Sequence, residues 1–408
     1  MDTEIIYRKK APDFSEIKAI MFQGVNKITD NFFGNSPPQI FVGSKLKYPK
    51  VNVGILSPPE KVPDAWLYSA EQYWAQQSLD INTIIRLRSS LINSRFATTT
   101  DQARSSEKFV GIAQEIGMAK RPVDVEIELK KKVVLQFDTD KVTMPMGPRA
   151  PLKDARLTEN TTVDTHVEKV LSDTDLKATD AISYLYKHQF QDNTLNQLLS
   201  IGVLGLKKNR KLVPTRWSIT AVDDMIGKQI KHELRDYQQI DSYQLYHGSH
   251  LGNYYFALLF PDNFRYELFE YFVPGSAWNP SDVMKGATDW EDYWGRSQYA
   301  FSTAGGYYAS RIAILEHLRS IKRQASALVI RFELPEYWAS LGVWVVRSSC
   351  RKTMANPPMI FSDQASMIEY IKKVAKEKFH FDLNKTFSMS KLLQSTKTQS
   401  KLTSFFGK

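Results

Sequence analysis

The chain has 408 residues, of which 42% are apolar and 12% aromatic, and this length exceeds what one hydrophobic core usually serves, so two or more domains are expected. Its single cysteine excludes an internal disulfide and a zinc site built on paired cysteines. A formal net charge of +10 favours an anionic partner, either nucleic acid or an anionic membrane surface.

The first ten residues carry acids and lack an apolar core, so they do not resemble a signal peptide. The longest apolar runs are far shorter than a membrane span. These features predict a cytoplasmic, nucleoid-associated protein without a membrane partner.

Residues 1–165 are predicted to form an N-terminal region of strands and helices. The segment 39–57 has the composition of two strands around a turn, and 64–96 has apolar residues at helical spacing. A strand is predicted from 123 to 137, because apolar residues alternate there with charged ones.

Residues 166–236 stand out as a basic segment. Two predicted helices, at 176–190 and 193–201, precede short apolar stretches on either side of the basic turn 207–211. Helix, turn, helix and basic hairpin form the outline of a winged helix. This segment is therefore predicted to be winged-helix-like.

Residues 237–382 are predicted to form a C-terminal region of mixed structure. Two strands and a helix are expected within 243–273, and a strand at 325–334 lies between helices at 304–321 and 363–377. No internal repeat is visible. The mixture indicates an α+β fold with several domains rather than a repeated βαβ pattern.

Residues 383–408 are predicted to be a flexible, disordered tail, because from Asn384 onward they contain five lysines, no acid and many polar residues. Gln399, Leu402, Phe405 and Phe406 have the spacing of a sliding-clamp interaction motif. One tight helical turn would place the three apolar side chains on one side, and the Gln399 amide would reach a separate polar pocket. We expect this motif to bind the sliding clamp PCNA.

The basic turn and the residues after it are the strongest candidates for DNA contact. Cationic side chains of this kind can lie against phosphates, and an arginine beside a tryptophan adds a ring for base stacking. The alternative is a solvated turn. The candidate DNA-binding residues are Lys207, Lys208, Arg210, Lys211, Arg216 and Trp217.

Several long segments of the chain resemble the archaeal Nre family of DNA repair proteins. The longest is KKNRKLVPTRWSITAVDD at 207–224. The others lie at 42–43, 48–54, 56–59, 86–91, 120–126, 146–148 and 304–309. The resemblance spans about residues 40–375 and implies archaeal origin, a role in the repair of DNA damage and partnership with the sliding clamp. It implies no known reaction. Some relatives begin with a cysteine-based zinc module, and this chain has no cysteines there.

A rival hypothesis makes the chain a repair enzyme. Asp223 and Asp224, with Glu233 and Asp236 downstream, could hold magnesium for phosphodiester hydrolysis. The alternative is that these acids serve the dipole at a helix start.

A second enzymatic hypothesis starts from His247. Residues 247–250, followed by 305–310, faintly resemble the motifs of ADP-ribosyltransferases, which use NAD. The alternative is a polar loop, and a helix whose glycines permit close packing. Apart from these hypotheses, no cofactor or metal ligand set is evident.

Two further features have open interpretations. Gly43 and Gly54 either shape the edge of a pocket or serve as turn residues, and turn chemistry is favoured. Trp290, Tyr293 and Trp294 either stack on bases or cap a core, and the core is favoured.

Overall fold

The computed structural model of the chain describes residues 30–134 and 142–398. These residues form two compact units, one of residues 30–226 with 339–344 and one of 227–338 with 345–398. The division falls inside a long helix. Both units combine helices with a mixed sheet. The predicted α+β fold class is therefore confirmed.

The first unit is built on a six-stranded sheet with the strand order β1-β5-β6-β4-β3-β2. Its pairs are antiparallel except β4 with β6, which run parallel. Buried and half-buried residues alternate along β5, which confirms the strand predicted from position 123. The strands are β1 (Asn31–Ser36), β2 (Ile40–Gly43), β3 (Lys50–Ser57), β4 (Ile92–Thr99), β5 (Val123–Leu129) and β6 (Arg149–Leu157).

Short helices connect and cover these strands. They are α1 (Glu71–Gln76), α2 (Ile81–Ser89), α3 (Lys108–Met118), α4 (Thr165–Ser172), α5 (Ala178–Lys187), α6 (Asp192–Ser200) and α7 (Thr215–Leu234), which crosses into the second unit. The Asp80 side chain accepts a hydrogen bond from the Thr83 amide at 3.0 Å and so caps α2. Gly202, with φ of +71°, follows α6 at the predicted position of its end.

The second unit has its own six-stranded sheet with the order β10-β9-β11-β8-β7-β12. Strand β11 pairs parallel to β9 and antiparallel to β8. It therefore lies between two strands that precede it in the sequence. The strands are β7 (Tyr243–His250), β8 (Asn253–Phe260), β9 (Tyr266–Phe272), β10 (Lys285–Glu291), β11 (Ser326–Glu333) and β12 (Met359–Phe361). The remaining helices are α8 (Ala304–Ser320), α9 (Val343–Met354), α10 (Gln364–Phe379), α11 (Asn384–Met389) and α12 (Lys391–Thr398).

One face of the second sheet carries a continuous apolar core. Buried residues from β8, β9 and β11 pack there with residues from α10 to α12. Residues of this core include Phe256, Phe332, Ile371, Phe379 and Leu392. The rings of Phe332 and Phe379 stack with centroids 4.3 Å apart. Because β8 and β11 are buried on both faces, their sequences show an apolar run rather than an alternation.

Three predicted elements differ from the structure. The segment 243–273 holds three strands and no helix. The segment predicted as helical at 64–96 ends in strand β4. The third difference lies in the predicted tail, because residues 384–398 form helices α11 and α12 instead of a mobile segment.

The carboxylate of Glu267 anchors α12. It accepts hydrogen bonds from the Ser390 hydroxyl at 2.5 Å and from the Lys391 and Leu392 amides at 3.1 and 3.0 Å. Burial raises the pKa of Glu267, although these hydrogen bonds oppose the shift. Among residues 30–134 and 142–398, no helix combines the length and apolarity needed to cross a membrane.

Candidate nucleic-acid interface

A cleft of about 160 Å³ opens in the first unit and is rich in cationic side chains. We call it the basic cleft. The apolar part of its lining contains Phe41, Val42 and Met146. Its polar and charged lining consists of Ser44, Lys45, Asn52, Arg95, Thr143, Arg149 and Arg216. None of the described lining residues is acidic, and four are cationic.

Strand register brings the cleft residues together. Gly43 on β2 lies opposite Asn52 on β3, and two positions along β3, Gly54 lies opposite Arg95 on β4. A Cβ at Gly54 would overlap the Asn93 side chain, so this position requires glycine. Asn93 in turn faces Arg95; with its amide turned so that the oxygen faces the guanidinium, it accepts hydrogen bonds from Arg95 Nε and Nη2 at 3.2 and 3.0 Å.

The segment before β6 is held against the end of α2. A Cβ at Gly147 would lie 2.7 Å from the Ser89 carbonyl oxygen, so the two backbones could not approach this closely with any other residue. Arg88 Nε donates to the Pro145 carbonyl at 3.0 Å. These contacts fix Met146 and Arg149 on either side of Gly147, where both line the basic cleft.

The start of α7 is attached to β2. Thr215 Oγ1 accepts a hydrogen bond from the Val42 amide at 2.9 Å and lies 3.2 Å from Ser200 Oγ. This anchor places the next residue, Arg216, in the lining of the cleft. Trp217 follows, with 48% of its surface exposed.

An exposed aromatic pair lies beside Arg216. The rings of Trp217 and Tyr48 have centroids 6.4 Å apart, and Tyr48 is 55% exposed. Tyr48 belongs to the loop 44–49, which also carries the exposed Lys45 and Lys47. Burying large aromatic rings stabilises a fold, so exposed rings beside cations are better suited to stacking on a ligand.

The predicted basic hairpin is not present. Residues 207–209 form one turn of 3₁₀ helix, and no strand flanks them. Arg210 explains the difference, because its Nε donates to the Gly205 carbonyl at 2.9 Å and its Nη2 to the Leu171 carbonyl at 3.0 Å. These bonds hold the turn against the end of α4. The predicted winged helix therefore lacks the β-hairpin that would form its wing, and this part of the prediction is wrong.

The basic residues of this turn divide into two groups. Lys207, Lys208 and Lys211 are exposed. Arg210 is half-buried, and burial lowers its pKa. Its hydrogen bonds give it a structural role, and its predicted DNA contact stays a prediction.

Backbone hydrogen bonds connect the turn with the loop beside the cleft. The Leu212 amide donates to the Thr100 carbonyl at 2.7 Å, and the Thr100 amide donates to the Pro49 carbonyl at 3.0 Å. Thr100 therefore links the segment that follows the exposed lysines of 207–211 to the loop 44–49 by two backbone hydrogen bonds.

Comparison with known proteins identifies the family. Residues 7–279 match the family model described as Archaeal Nre, N-terminal, and residues 291–405 match Archaeal Nre, C-terminal. The chain belongs to the archaeal Nre family. It is 42% identical to the DNA repair protein NreA of Haloferax volcanii over 79% of this chain and 78% of that protein. It is 37% identical to the DNA repair protein NreB of Archaeoglobus fulgidus over 84% of this chain and 85% of the relative. No solved structure matches the chain.

Several segments that carried the Nre resemblance meet at the basic cleft. Gly43, Asn52, Met146 and Arg216 come from four of them and line the same space. Gly43 lies on β2 and lines the cleft, which agrees with the pocket-edge interpretation and not with the favoured interpretation as a turn residue. Lys45, Tyr48, Arg95 and Arg149 were missed by the sequence analysis. The interleaved lysines and tyrosine of 45–50 were the available signal.

The proposed magnesium ligands of this Nre chain are poorly placed. Asp223 is fully buried inside α7, and Asp224, the next residue, is half-buried. Glu233 accepts a hydrogen bond from Gln229 at 3.2 Å. Within residues 30–134 and 142–398, no group of three or more His, Cys, Asp or Glu side chains is arranged to hold a metal. The burial of Asp223 gives no support to its hypothetical role in metal-dependent cleavage, which stays a prediction from the sequence.

His247 lies on β7 and not in a loop. Its Nδ1 is 3.2 Å from the Tyr254 hydroxyl, and its carbonyl accepts a hydrogen bond from Asn356 at 2.9 Å. Gly306 is buried in α8, where a Cβ would overlap the Glu270 carboxylate. The glycines after position 304 therefore permit close packing, as the alternative to the NAD hypothesis predicted.

The aromatic residues at the end of β10 and in the loop after it are only partly buried. Trp294 is 80% exposed, so the core prediction is wrong for this residue. Trp290 and Tyr293 are half-buried. The ring of Tyr293 lies 5.4 Å from the Arg235 guanidinium.

The clamp motif lies outside the described residues. Gln399, Leu402, Phe405 and Phe406 all follow Thr398, the last residue of α12. Their role as a clamp-binding motif stays a prediction from the sequence.

Proposed function

We propose that this chain is a DNA repair factor that binds DNA through the basic cleft and is recruited to the sliding clamp PCNA by the motif at 399–406. The observation that supports DNA binding is the composition of the cleft. Four cationic side chains line it, an aromatic pair lies beside it, and none of its described lining residues is acidic. The relatives named as DNA repair proteins support the repair role.

The chemistry of the cleft suits a phosphate backbone. Lys45 has no ion pair among the described residues, and it lies with the exposed Lys47 and Lys50 in one short segment. Each cation that neutralises a phosphate releases a counterion, so binding should weaken steeply as salt rises. Trp217 and Tyr48 offer ring faces on which a base can stack.

The test is a salt titration of DNA binding, measured by fluorescence anisotropy in the absence of the clamp. We expect Arg149→Gln and Arg216→Gln each to lower affinity for all sequences alike and to reduce the salt slope by about one. Arg156→Gln is the matched control, because Arg156 lies on the same strand as Arg149 but pairs with Glu126 at 2.5 Å outside the cleft. Equal slopes for the wild type and both cleft variants would contradict DNA binding at this cleft.

Clamp recruitment is tested separately. Changing Phe405 and Phe406 to Ala should remove two of the three apolar contacts, each worth roughly 1.5–3 kcal/mol, and so abolish binding measured by calorimetry. Ser400→Ala and Thr403→Ala occupy spacer positions of the motif and should leave affinity unchanged. Unaltered clamp affinity in the double phenylalanine variant would refute the motif.

A further inference from the structure

The interior of the basic cleft carries features that a phosphate backbone alone does not need. Phosphates are satisfied by cations and by amide or hydroxyl donors. Part of the lining of this cleft is instead apolar, and it includes Phe41 and Met146. An apolar lining beside cationic side chains fits a ligand with a flat apolar part and an anionic part. A nucleotide has both.

The size of the cleft limits the apolar part to about one ring. Its volume is about 160 Å³, and an apolar protein cavity of about 150 Å³ holds a single benzene molecule. The enclosed space therefore suits one nucleobase of pyrimidine size and not a base pair. A base inside a duplex cannot enter such a space unless it leaves the stack.

The polar groups of the interior match a base edge. Asn52 lines the cleft, and its amide has no side-chain hydrogen-bond partner among the described residues. An amide can donate and accept at once, as recognition of a base edge requires. The Arg95 guanidinium lies over one face of the Phe41 ring, 5.6 Å from its centroid, so a base would stack on the opposite face.

From this geometry we infer that the basic cleft accepts one unstacked nucleobase, with Phe41 as the stacking surface and Asn52 as the reader of the base edge. Lys45, Arg149 and Arg216 bind the phosphates that flank it. The inference rests on the proposed DNA binding and deepens it, because it names an unpaired or extruded nucleotide as the ligand of this site.

The test compares three duplexes of equal length with the full chain. One is fully paired, one carries a single unpaired thymidine bulge, and one carries an abasic residue in place of that thymidine. We expect the thymidine bulge to bind about tenfold more tightly than the other two, since stacking one base on an aromatic ring has this magnitude. A fluorescent base analogue in the bulge should be quenched when it stacks on Phe41.

Two variants assign the preference to the cleft interior. Phe41→Leu keeps apolar volume but removes the ring, and Asn52→Leu removes the amide, so each should lower the bulge preference about fivefold to tenfold. The ratio of bulge affinity to fully paired affinity is compared in each variant, so that a general loss of DNA binding is separated from a loss of the preference. Phe33→Ala is the control, because Phe33 is a partly exposed phenylalanine on β1 of the same sheet, outside the cleft.

The outcomes separate the two proposals. A wild-type chain that binds all three duplexes equally, with a steep salt slope, overturns the nucleobase inference and leaves DNA binding intact. A preference that survives in both Phe41→Leu and Asn52→Leu also overturns it. A chain that binds none of the duplexes overturns the proposed DNA binding itself.

Discussion

Arg88 is an arginine with 1% of its surface exposed, and oxygen atoms surround its guanidinium. Nη1 donates to Gln39 Oε1 at 2.6 Å and to the Tyr68 carbonyl at 2.8 Å, while Nε donates to the Pro145 carbonyl. Burial lowers the pKa of Arg88 to about 10, so the side chain remains charged at neutral pH. This residue therefore joins α2 to the segment that supplies Met146 and Arg149 to the cleft.

Replacing Arg88 should destabilise the first unit. We expect Arg88→Met to cost about 3 kcal/mol, because it leaves several buried acceptors without a donor. The measurement is the free energy of unfolding in urea, followed by tryptophan fluorescence. Arg86→Met is the control on the same helix, since Arg86 is exposed and should change stability by no more than about 0.5 kcal/mol. Similar costs for the two variants would contradict this role.

His250 makes the second unit sensitive to acid. It is 9% exposed, its Nε2 is buried without a hydrogen-bond partner among the described residues, and its Nδ1 lies 3.4 Å from Lys352 Nζ. Burial, aided by the Lys352 charge, lowers the pKa of His250 to about 4. The unfolded chain therefore takes up a proton near its ordinary pKa of 6.5, whereas the folded chain does not until about pH 4.

The expected pH dependence follows from this difference. The stabilisation is fully present above pH 6.5 and is lost as pH falls toward 4, by up to about 3 kcal/mol. In His250→Gln this component should be absent, so the wild-type and variant stabilities should converge in acid. Urea midpoints measured between pH 4 and 7.5 check the prediction. Parallel curves for the two proteins would show that His250 does not contribute.

At the residue scale, the sequence identified one side of the cleft and missed the other. Arg216 and Trp217 were visible because they follow a basic run. Arg95 and Arg149 lie in segments without a charge cluster, and they meet only because β4 and β6 pair in parallel. Such pairing depends on the whole sheet and leaves no local pattern. The structural role of Arg210 was not predictable for the same reason, since its carbonyl partners include Leu171, far away in sequence.

Helix α12 shows how one buried carboxylate can define an element. Glu267 receives the first amides of the helix and the Ser390 hydroxyl. We expect Glu267→Gln to weaken this cap by roughly 1 kcal/mol, because the charge that complements the helix N-terminus is lost. Hydrogen exchange of the amides at 390–398 should become faster.

A surface glutamate provides the control for the Glu267 variant. Glu369 lies on α10 with 69% of its side chain exposed, and it pairs with Lys372 at 2.6 Å. Glu369→Gln should leave exchange at 390–398 unchanged. Equal exchange rates in the wild type and Glu267→Gln would show that the Glu267 carboxylate does not stabilise the start of α12.

At the element scale, helices and alternating strands were predictable. Helix α10 and strand β5 carry clear periods in their sequences. The strands β8 and β9 do not, because both are nearly fully buried and their residues form apolar runs that fit a helix equally well. Residues 384–398 were misjudged because their few apolar residues, such as Leu392, are concentrated where they meet the sheet.

The boundary between the two family models falls inside the second sheet and not between the two structural units. The match to the N-terminal model ends at residue 279, yet β7, β8 and β9 precede this point while β11 follows it. Because β10 and β11 both follow residue 279, a chain that ends there leaves β9 without either neighbour and β8 paired with β7 alone. Buried residues such as Leu258 and Phe269 would then be exposed.

We therefore expect a chain ending at residue 279 to aggregate, or to bind a hydrophobic dye and unfold without a cooperative transition. A chain ending at residue 398 retains every described strand and should unfold cooperatively. Solubility, dye binding and circular dichroism melts compare the two. A soluble, cooperatively folded chain of 279 residues would contradict this account of the second sheet.

The anchoring of α12 also bears on the length of the proposed tether. Glu267 holds the helix Lys391–Thr398, and the next residue in the sequence, Gln399, begins the predicted clamp motif. A long flexible linker would let the body reach a wide volume around its anchor, whereas a connection without spacer residues would restrict it to a small radius. Once recruited as proposed, the protein would reach only the DNA next to the clamp. Inserting glycine and serine residues after Thr398 would lengthen the stretch of DNA that it can reach.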